Sequence, residues 1–224
     1  MKPRIIFITG TDTNAGKTVL ATLLARHLRA HKISVAAYKP VCSGGRDDAK
    51  VLHSALGGAL ALDEINPWHF RKAVAPLLAA QAERRKVMLG EVVAHARLLR
   101  QRFPVLIVEG AGGLLSPLGE DFDSSDLIQA LRATPVVVAP NRLGAINQVL
   151  LTLAALPRGL AQKAQVVLVS QSKPDPTVRG NISYLARKLG RQRMFELPWL
   201  NLNSAAGHRR ASKTLAALTR SLGL

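Results

Sequence analysis

Nine residues, Gly10-Thr11-Asp12-Thr13-Asn14-Ala15-Gly16-Lys17-Thr18, carry the clearest chemistry in the chain. They follow the short apolar run Ile5–Thr9 and lead into a segment with helical spacing. A strand, a glycine-containing loop and a helix N-terminus in that order make a phosphate cradle. Backbone N–H groups would wrap a β-phosphate, Lys17 would bridge phosphate oxygens, and the Thr18 hydroxyl would face Mg²⁺. Five residues separate Gly10 from Gly16 where the usual P-loop has four, so the loop is a variant within the nucleotide-binding class.

Two further segments end in groups suited to phosphoryl transfer. Tyr38-Lys39-Pro40-Val41-Cys42-Ser43-Gly44 closes a second apolar run, and a lysine there can neutralise negative charge that develops in a transition state. Val105-Leu106-Ile107-Val108-Glu109 is an apolar strand ending in a carboxylate, followed by Gly110-Ala111-Gly112-Gly113. P-loop enzymes hold Mg²⁺ with such a strand-terminal acid, usually an aspartate, and the glycines let backbone approach a ligand closely. A buried glutamate there without a partner would be costly. Asp47 and Asp48 follow the second segment; first-turn helix stabilisation accounts for either one, and Asp48 is the residue expected to face a metal.

Weaker signals lie later. Asn141-Arg142-Leu143-Gly144-Ala145-Ile146-Asn147 follows a strand and opens a helix, which suits an anion, and Leu197-Pro198-Trp199-Leu200 closes the last strand where a base could pack. Each alone reads more readily as turn and core. The six histidines form no ligand spacing with cysteine, and no Gly-x-Ser-x-Gly elbow is present. Lys39 could lower the pKa of Cys42, but a single thiol without a paired histidine reads as a small packing residue.

These groups must be held on one rim. Apolar runs of strand length recur at Ile5–Thr9, Val35–Tyr38, Val105–Glu109, Pro135–Ala139, Val166–Ser170 and Phe195–Leu197, several apolar at consecutive positions as in strands covered on both faces. Helical spacing fills Thr18–Ala30, Leu89–Arg102, Asp126–Ala133, Ala145–Leu156 and Val178–Leu189. The alternation predicts an α/β fold, a P-loop NTPase-like open, mostly parallel sheet with helices on both faces and ligands at the carboxyl ends of strands. No repeat or long linker divides the chain, so residues 1–224 are read as a single domain, with Gly57–Lys72 as a loop because Gly57-Gly58 and Asn66-Pro67 break the periodicity. The segment Ser204–Leu224 is expected to be a packed helix with a basic outer face.

Composition narrows the function classes. Apolar residues at 48% and charged residues at 20% exclude a disordered chain. One cysteine suits a reducing compartment, the N-terminal apolar run lacks a cleavage site, and no apolar stretch is long enough to span a bilayer; a cytoplasmic protein is expected. The net charge is +17, with 31 Lys+Arg against 14 Asp+Glu. Residues 127–224 hold 14 basic and only 2 acidic residues. That surplus points toward nucleic acid or an anionic surface, but aromatics at 4% supply few stacking platforms.

Gly10–Thr18, Tyr38–Gly44 and Val108–Gly113 together closely resemble the dethiobiotin synthetase family, whose hallmarks read GTDTxxGKT, YKPVxSG and VEGAGG. Leu115–Leu118, Leu143–Asn147 and Pro198–Leu200 are also similar to the family, so the resemblance extends from the N-terminus to about residue 200. It implies a ligase of biotin biosynthesis that closes the ureido ring of 7,8-diaminononanoate with CO₂ or bicarbonate, driven by MgATP. Carried onto this sequence, it implies Lys17 and Lys39 on the carbamate and transferring phosphoryl group, and Thr18, Asp48 and Glu109 on Mg²⁺. Thr13 and Ser43 would contact the diamine or carbamate, and the backbone of Asn14, Ala15, Gly16 and onward to Val19 would wrap phosphate. Gly110, Ala111 and Gly112, with Ser170, Gln171, Pro198, Trp199 and Leu200, would complete the nucleotide site. The family is a homodimer in which the substrate carboxylate is bound across the interface, which suits Gly144 and Asn147; neither nucleic acid nor membrane is an implied partner.

Three departures fall on specificity. Ala75-Pro76-Leu77 stands where the family often has Ser-Pro-His, Ser170-Gln171 where an Asn-Asp pair reads adenine, and no glutamate follows Pro198-Trp199-Leu200 among Asn201 to Ala205. A relaxed nucleotide preference is expected. Two alternatives remain on the sequence: another ATP-dependent ligase of the same fold, and a partition-type switch ATPase acting on DNA or membrane. The first usually carries a glutaminase domain for which this chain has no room, and the second usually carries another lysine near the loop start, where Gly10-Thr11-Asp12 stands here.

Overall fold

The computed structural model describes residues 4–172, 176–199 and 205–224, without the side chains of Thr177 and 205–210. The chain runs β1 (Arg4–Gly10), α1 (Lys17–Ala30), β2 (Val35–Tyr38), β3 (Val41–Ser43), α2 (Asp47–Ala55), α3 (Leu62–Ile65), β4 (Trp68–Phe70), α4 (Pro76–Ala82) and α5 (Leu89–Arg102). It continues through β5 (Val105–Glu109), α6 (Ser124–Leu131), β6 (Thr134–Pro140), α7 (Ala145–Ala155), α8 (Arg158–Lys163), β7 (Gln165–Val169), α9 (Asn181–Leu189), β8 (Met194–Leu197) and α10 (Ala205–Ser221). Six strands form one sheet in the order β2-β5-β1-β6-β7-β8, with every pairing parallel.

The central strands are apolar throughout because both faces are covered. β5 is buried at all five positions, and Phe7 and Ile8 of β1 and Val136 to Val138 of β6 are closed to solvent. Right-handed crossovers set which face each helix takes. From β1 the chain moves one way to β2, whereas later connections step the other way through β5, β6, β7 and β8, so α1 lies opposite α5 to α9. α1 packs on α2 and α10, while α5 packs on α6 and α7 on α9.

Register brings the chemistry to one edge. Ile8 pairs with Glu109, Tyr38 with Val108 and Gly10 with Val138, so the loop after β1, Lys39 and Glu109 leave the sheet at nearly the same height. The parallel fold, and five of the expected helices, stand as the sequence pattern indicates, with shifts at their ends. α6 starts at Ser124, two residues early, because the Asp123 carboxylate accepts from the N–H groups of Ser125 and Asp126 and caps it there. α9 starts only at Asn181, after a 3₁₀ turn at Pro176–Val178.

The expectation of a loop over Gly57–Lys72 is corrected. That segment holds α3 and β4, and β4 pairs in parallel with β3 as a second, two-stranded sheet: Val41 with Trp68, Cys42 with His69, Ser43 with Phe70. Each strand is three residues long and each follows a proline, so no periodicity could develop in either. Helices α4 and α8 also lie outside the predicted set. Among the described residues no helix is long and apolar enough to cross a membrane.

Candidate active site

The loop after β1 is held open for an anion. Gly16, the residue before α1, has φ 99°, and a Cβ there would lie 3.1 Å from Val169 Cγ2, so both conformation and space favour glycine. Asn14 also takes positive φ, 58°, which asparagine tolerates better than most residues. Among the described residues no side chain caps α1, and no acid sits in its first turn, so its first N–H groups and the positive end of its dipole face the loop. Lys17 is buried and its Nζ donates to the Asp12 carbonyl at 2.9 Å. Burial, followed by the repulsion of Lys39, lowers its pKa to about 8. A cation so placed is stabilised by an incoming phosphate.

Lys39 extends from the end of β2 into the same space. Its Nζ donates to Glu109 Oε1 at 2.6 Å and to the Gly110 carbonyl at 3.1 Å, and lies 3.0 Å from Asp48 Oδ2. Burial disfavours its charge, but Glu109 and Asp48 outweigh that and hold the ammonium above its ordinary range. Glu109 Oε1 also accepts from the Thr18 hydroxyl at 2.7 Å. Burial opposes ionisation of Asp48, yet Lys39 and the Thr18 hydroxyl lower its carboxyl below the usual value. Asp47 stands at the cavity rim but outside this cluster: its side chain is exposed and pairs with Lys50 at 2.9 Å. The two aspartates are thereby told apart.

Thr18, Asp48 and Glu109 also fit the demands of Mg²⁺. Glu109 Oε2 is buried with no hydrogen-bond partner among the described residues, an acceptor left for a further ligand. The described residues hold no cluster of three His, Cys, Asp or Glu that would cage a metal by itself. Two carboxylates and a hydroxyl suit an ion that keeps waters and takes phosphate oxygens as its remaining ligands.

A cavity of about 750 Å³ opens above these groups. Thr13, Asn14, Gly16, Lys17, Thr18 and Val19 form one wall, and Lys39, Ser43, Asp47 and Asp48 another. Ala111 and Gly112 border it, whereas Ala15, Glu109 and Gly110 are buried beneath, with the Gly110 carbonyl engaged by Lys39. Cys42, Ala73, Val74, Ala75 and Pro76 give an apolar side suited to an aliphatic chain. Burial pushes the Cys42 thiol up to about 11, outweighing Lys39, so the thiol packs and is not activated.

The remaining expected residues do not line this cavity. Gly144 and Asn147 lie exposed at the start of α7. Ser170 follows β7, where its hydroxyl donates to Glu196 Oε1 at 3.2 Å, and Gln171 is exposed beside it. Pro198 and Trp199 follow β8, with Trp199 56% exposed; Leu200 and residues 201–204 lie outside the described residues. Sequence reasoning missed Glu196 as a carboxylate on this side, since alternation along β8 marks it only as an outward residue. It also missed Asn66 and Arg46, which lie in unpatterned chain and meet only through folding.

A P-loop-like turn before α1, a buried lysine pair, a strand-end glutamate and a helix-start aspartate on the rim of a parallel sheet define a nucleotide-dependent enzyme of the P-loop class. Comparison agrees at the level of fold. Over 97% of this chain and 98% of the other, the structure is similar to a ParA family ATPase from Chlorobium tepidum TLS, with TM-score 0.59 at 14% identity. Residues 4–206 match the model of an AAA domain family. Closer relatives are proteins called ATP-dependent dethiobiotin synthetase BioD. That of Anaeromyxobacter dehalogenans strain 2CP-C is 41% identical over 88% of this chain and 90% of its own, and that of Bacillus subtilis strain 168 is 35% identical over 84% of each. The chain belongs to the dethiobiotin synthetase family.

Proposed function

We propose that this cavity closes the ureido ring of 7,8-diaminononanoate with CO₂, using ATP and releasing ADP and phosphate, to give dethiobiotin. The observation that carries the reading is the convergence of Lys17 and Lys39 on one cavity that also presents Thr13 and Ser43. One amine adds to CO₂ and loses a proton, giving a carbamate. A carbamate oxygen attacks the γ-phosphorus as the bond to ADP breaks, and the second amine then attacks the carbonyl carbon, expelling phosphate and closing the ring. Lys39 and Lys17 offset the charge of the carbamate and transferring phosphoryl group, while Thr13 and Ser43 orient the diamine. The backbone of Asn14 to Val19 and the edge at Gly110 to Gly112 are assigned to the triphosphate, and Ser170, Gln171, Pro198, Trp199 and, outside the described residues, Leu200 are assigned to the base. Thr18, Asp48 and Glu109 would hold Mg²⁺, which shields the triphosphate charge.

Gly144 and Asn147 are assigned to the substrate carboxylate. Because they lie away from the cavity of their own chain, this assignment calls for a homodimer in which each subunit completes the other's site. The partners are then small molecules and a second copy, with no nucleic acid or membrane, in the cytoplasm. The basic excess steers anionic substrates, an effect that fades as salt rises. The test is the co-substrate dependence of ATP turnover: it should require both diamine and bicarbonate, and stimulation by DNA alone would overturn the reading in favour of a switch ATPase.

A further inference from the structure

We propose that Asn66 is a positioning residue for Lys39, standing in for a backbone donor that Pro67 cannot supply. The inference rests on the role given to Lys39 above. Past the end of β2, the Lys39 N–H donates to the Ile65 carbonyl at 2.8 Å; the β3–β4 ladder itself begins one residue further on and in the alternate phase, with the Trp68 N–H donating to the Pro40 carbonyl at 3.2 Å. The parallel counterpart of the Lys39–Ile65 bond alone would run from the N–H of residue 67 to the Lys39 carbonyl. Residue 67 is proline and has no N–H. The Asn66 amide fills the gap, its Nδ2 donating to the Lys39 carbonyl at 2.8 Å and to the Trp68 carbonyl at 3.2 Å. Asn66 is fully buried, so without this amide the Lys39 carbonyl would lose its partner in a place where water does not replace it.

The other end of the same amide reaches the metal side. Asn66 Oδ1 accepts from Arg46 Nε at 3.2 Å, and Arg46 Nη2 donates to the carbonyls of Asn66 and Leu62 at 2.8 and 3.0 Å. Arg46 immediately precedes α2, the helix whose first turn carries Asp48. One side chain therefore ties the backbone of Lys39 to the start of the helix that supplies its carboxylate partner. The amide orientation follows from its surroundings, since two carbonyls face Nδ2 and a guanidinium faces Oδ1.

The test is the Asn66→Ala variant alone and combined with Pro67→Ala, which supplies a backbone N–H at the counterpart position of the Lys39–Ile65 bond. Misplacing a reacting group by ~1 Å can cost about a hundredfold in rate, so Asn66→Ala should lower kcat for dethiobiotin by about tenfold to a hundredfold while the KM for MgATP changes less than about threefold. Adding Pro67→Ala should recover most of the loss. Wild-type kcat in Asn66→Ala, or a loss in the folded variant that Pro67→Ala does not relieve, would overturn the proposal. If Asn66→Ala does not fold, Asn66→Asp keeps the shape and the Arg46 contact but, ionised, cannot donate to Lys39; it should show the same kcat loss, and an unchanged kcat would overturn the proposal. A wild-type protein that makes no dethiobiotin would defeat the functional reading alone. Hydrogen exchange over Lys39 to Ser43 would then decide: faster in Asn66→Ala and slowed again by Pro67→Ala supports the clamp, and no change refutes it.

Discussion

Lys39 Nζ lies 2.6 Å from Glu109 Oε1, with both side chains almost wholly closed to solvent at the ends of neighbouring strands. Burying either charge alone would be strongly unfavourable, so each is the condition for the other. The pair places a permanent cation at the floor of the cavity, where negative charge on a carbamate and a transferring phosphoryl group would develop.

Lys39→Ala should therefore act on turnover more than on binding. Loss of one fixed donor to a developing anion costs about 10²–10³ in kcat, while nucleotide affinity, set mainly by the loop and Lys17, should change only a few-fold. Glu109 would be left without its cation, and melting temperature without Mg²⁺ should fall in step with a cost of about 3–5 kcal/mol. A variant with normal kcat and weakened nucleotide binding would move Lys39 to the nucleotide site.

The aspartates give an internal control for the metal. Asp48 shares Lys39 with Glu109, while Asp47 pairs with exposed Lys50. Asp48→Asn and Glu109→Gln should each raise the Mg²⁺ concentration for half-maximal rate by about 10–100-fold, and Asp47→Asn should leave it unchanged. Equal effects from both aspartates would remove the distinction, and an unmoved titration in Glu109→Gln would reassign that residue to structure.

Lys17 predicts a pH dependence with a defined sign. Burial and Lys39 lower its pKa to about 8 against an ordinary 10.5, while Glu109, Asp48 and Asp12 work the other way. Between those values the unfolded chain binds more protons, so the free protein gains stability from this group as pH rises. Nucleotide affinity runs oppositely: above pH ~8 the ammonium is lost, and the Kd of a non-hydrolysable ATP analogue should rise by up to about tenfold per pH unit. Calorimetric titration from pH ~7 to ~9 checks this, and a flat Kd would contradict it.

How much of this was legible in the sequence depended on how local the signal was. The loop Gly10–Thr18 and the strands ending at Lys39 and Glu109 announce themselves because consecutive residues encode both the element and its chemistry. Convergence on one rim followed from parallel topology alone. The pairing of β3 with β4 did not, because three-residue strands after Pro40 and Pro67 carry no period and meet across 27 residues of chain, as the Lys39 to Asn66 bond does. Asn66 looked like a turn residue beside a proline; its role needs the facing proline and the missing N–H, a fact of tertiary pairing.

The base side predicts relaxed nucleotide choice. Ser170 and Gln171 provide no Asn-Asp pair, and the Ser170 hydroxyl already donates to Glu196 at 3.2 Å. The ratios of kcat/KM among ATP, CTP and GTP should stay within about a hundredfold, or about 2.7 kcal/mol. A stronger preference for ATP would show that other residues read the base.

The central claim is the product formed. Incubating the protein with 7,8-diaminononanoate, ¹³C-bicarbonate and MgATP and following the mixture by mass spectrometry should reveal dethiobiotin with the label retained in its ureido carbon, appearing together with ADP. ATP consumed with no labelled dethiobiotin would contradict the account.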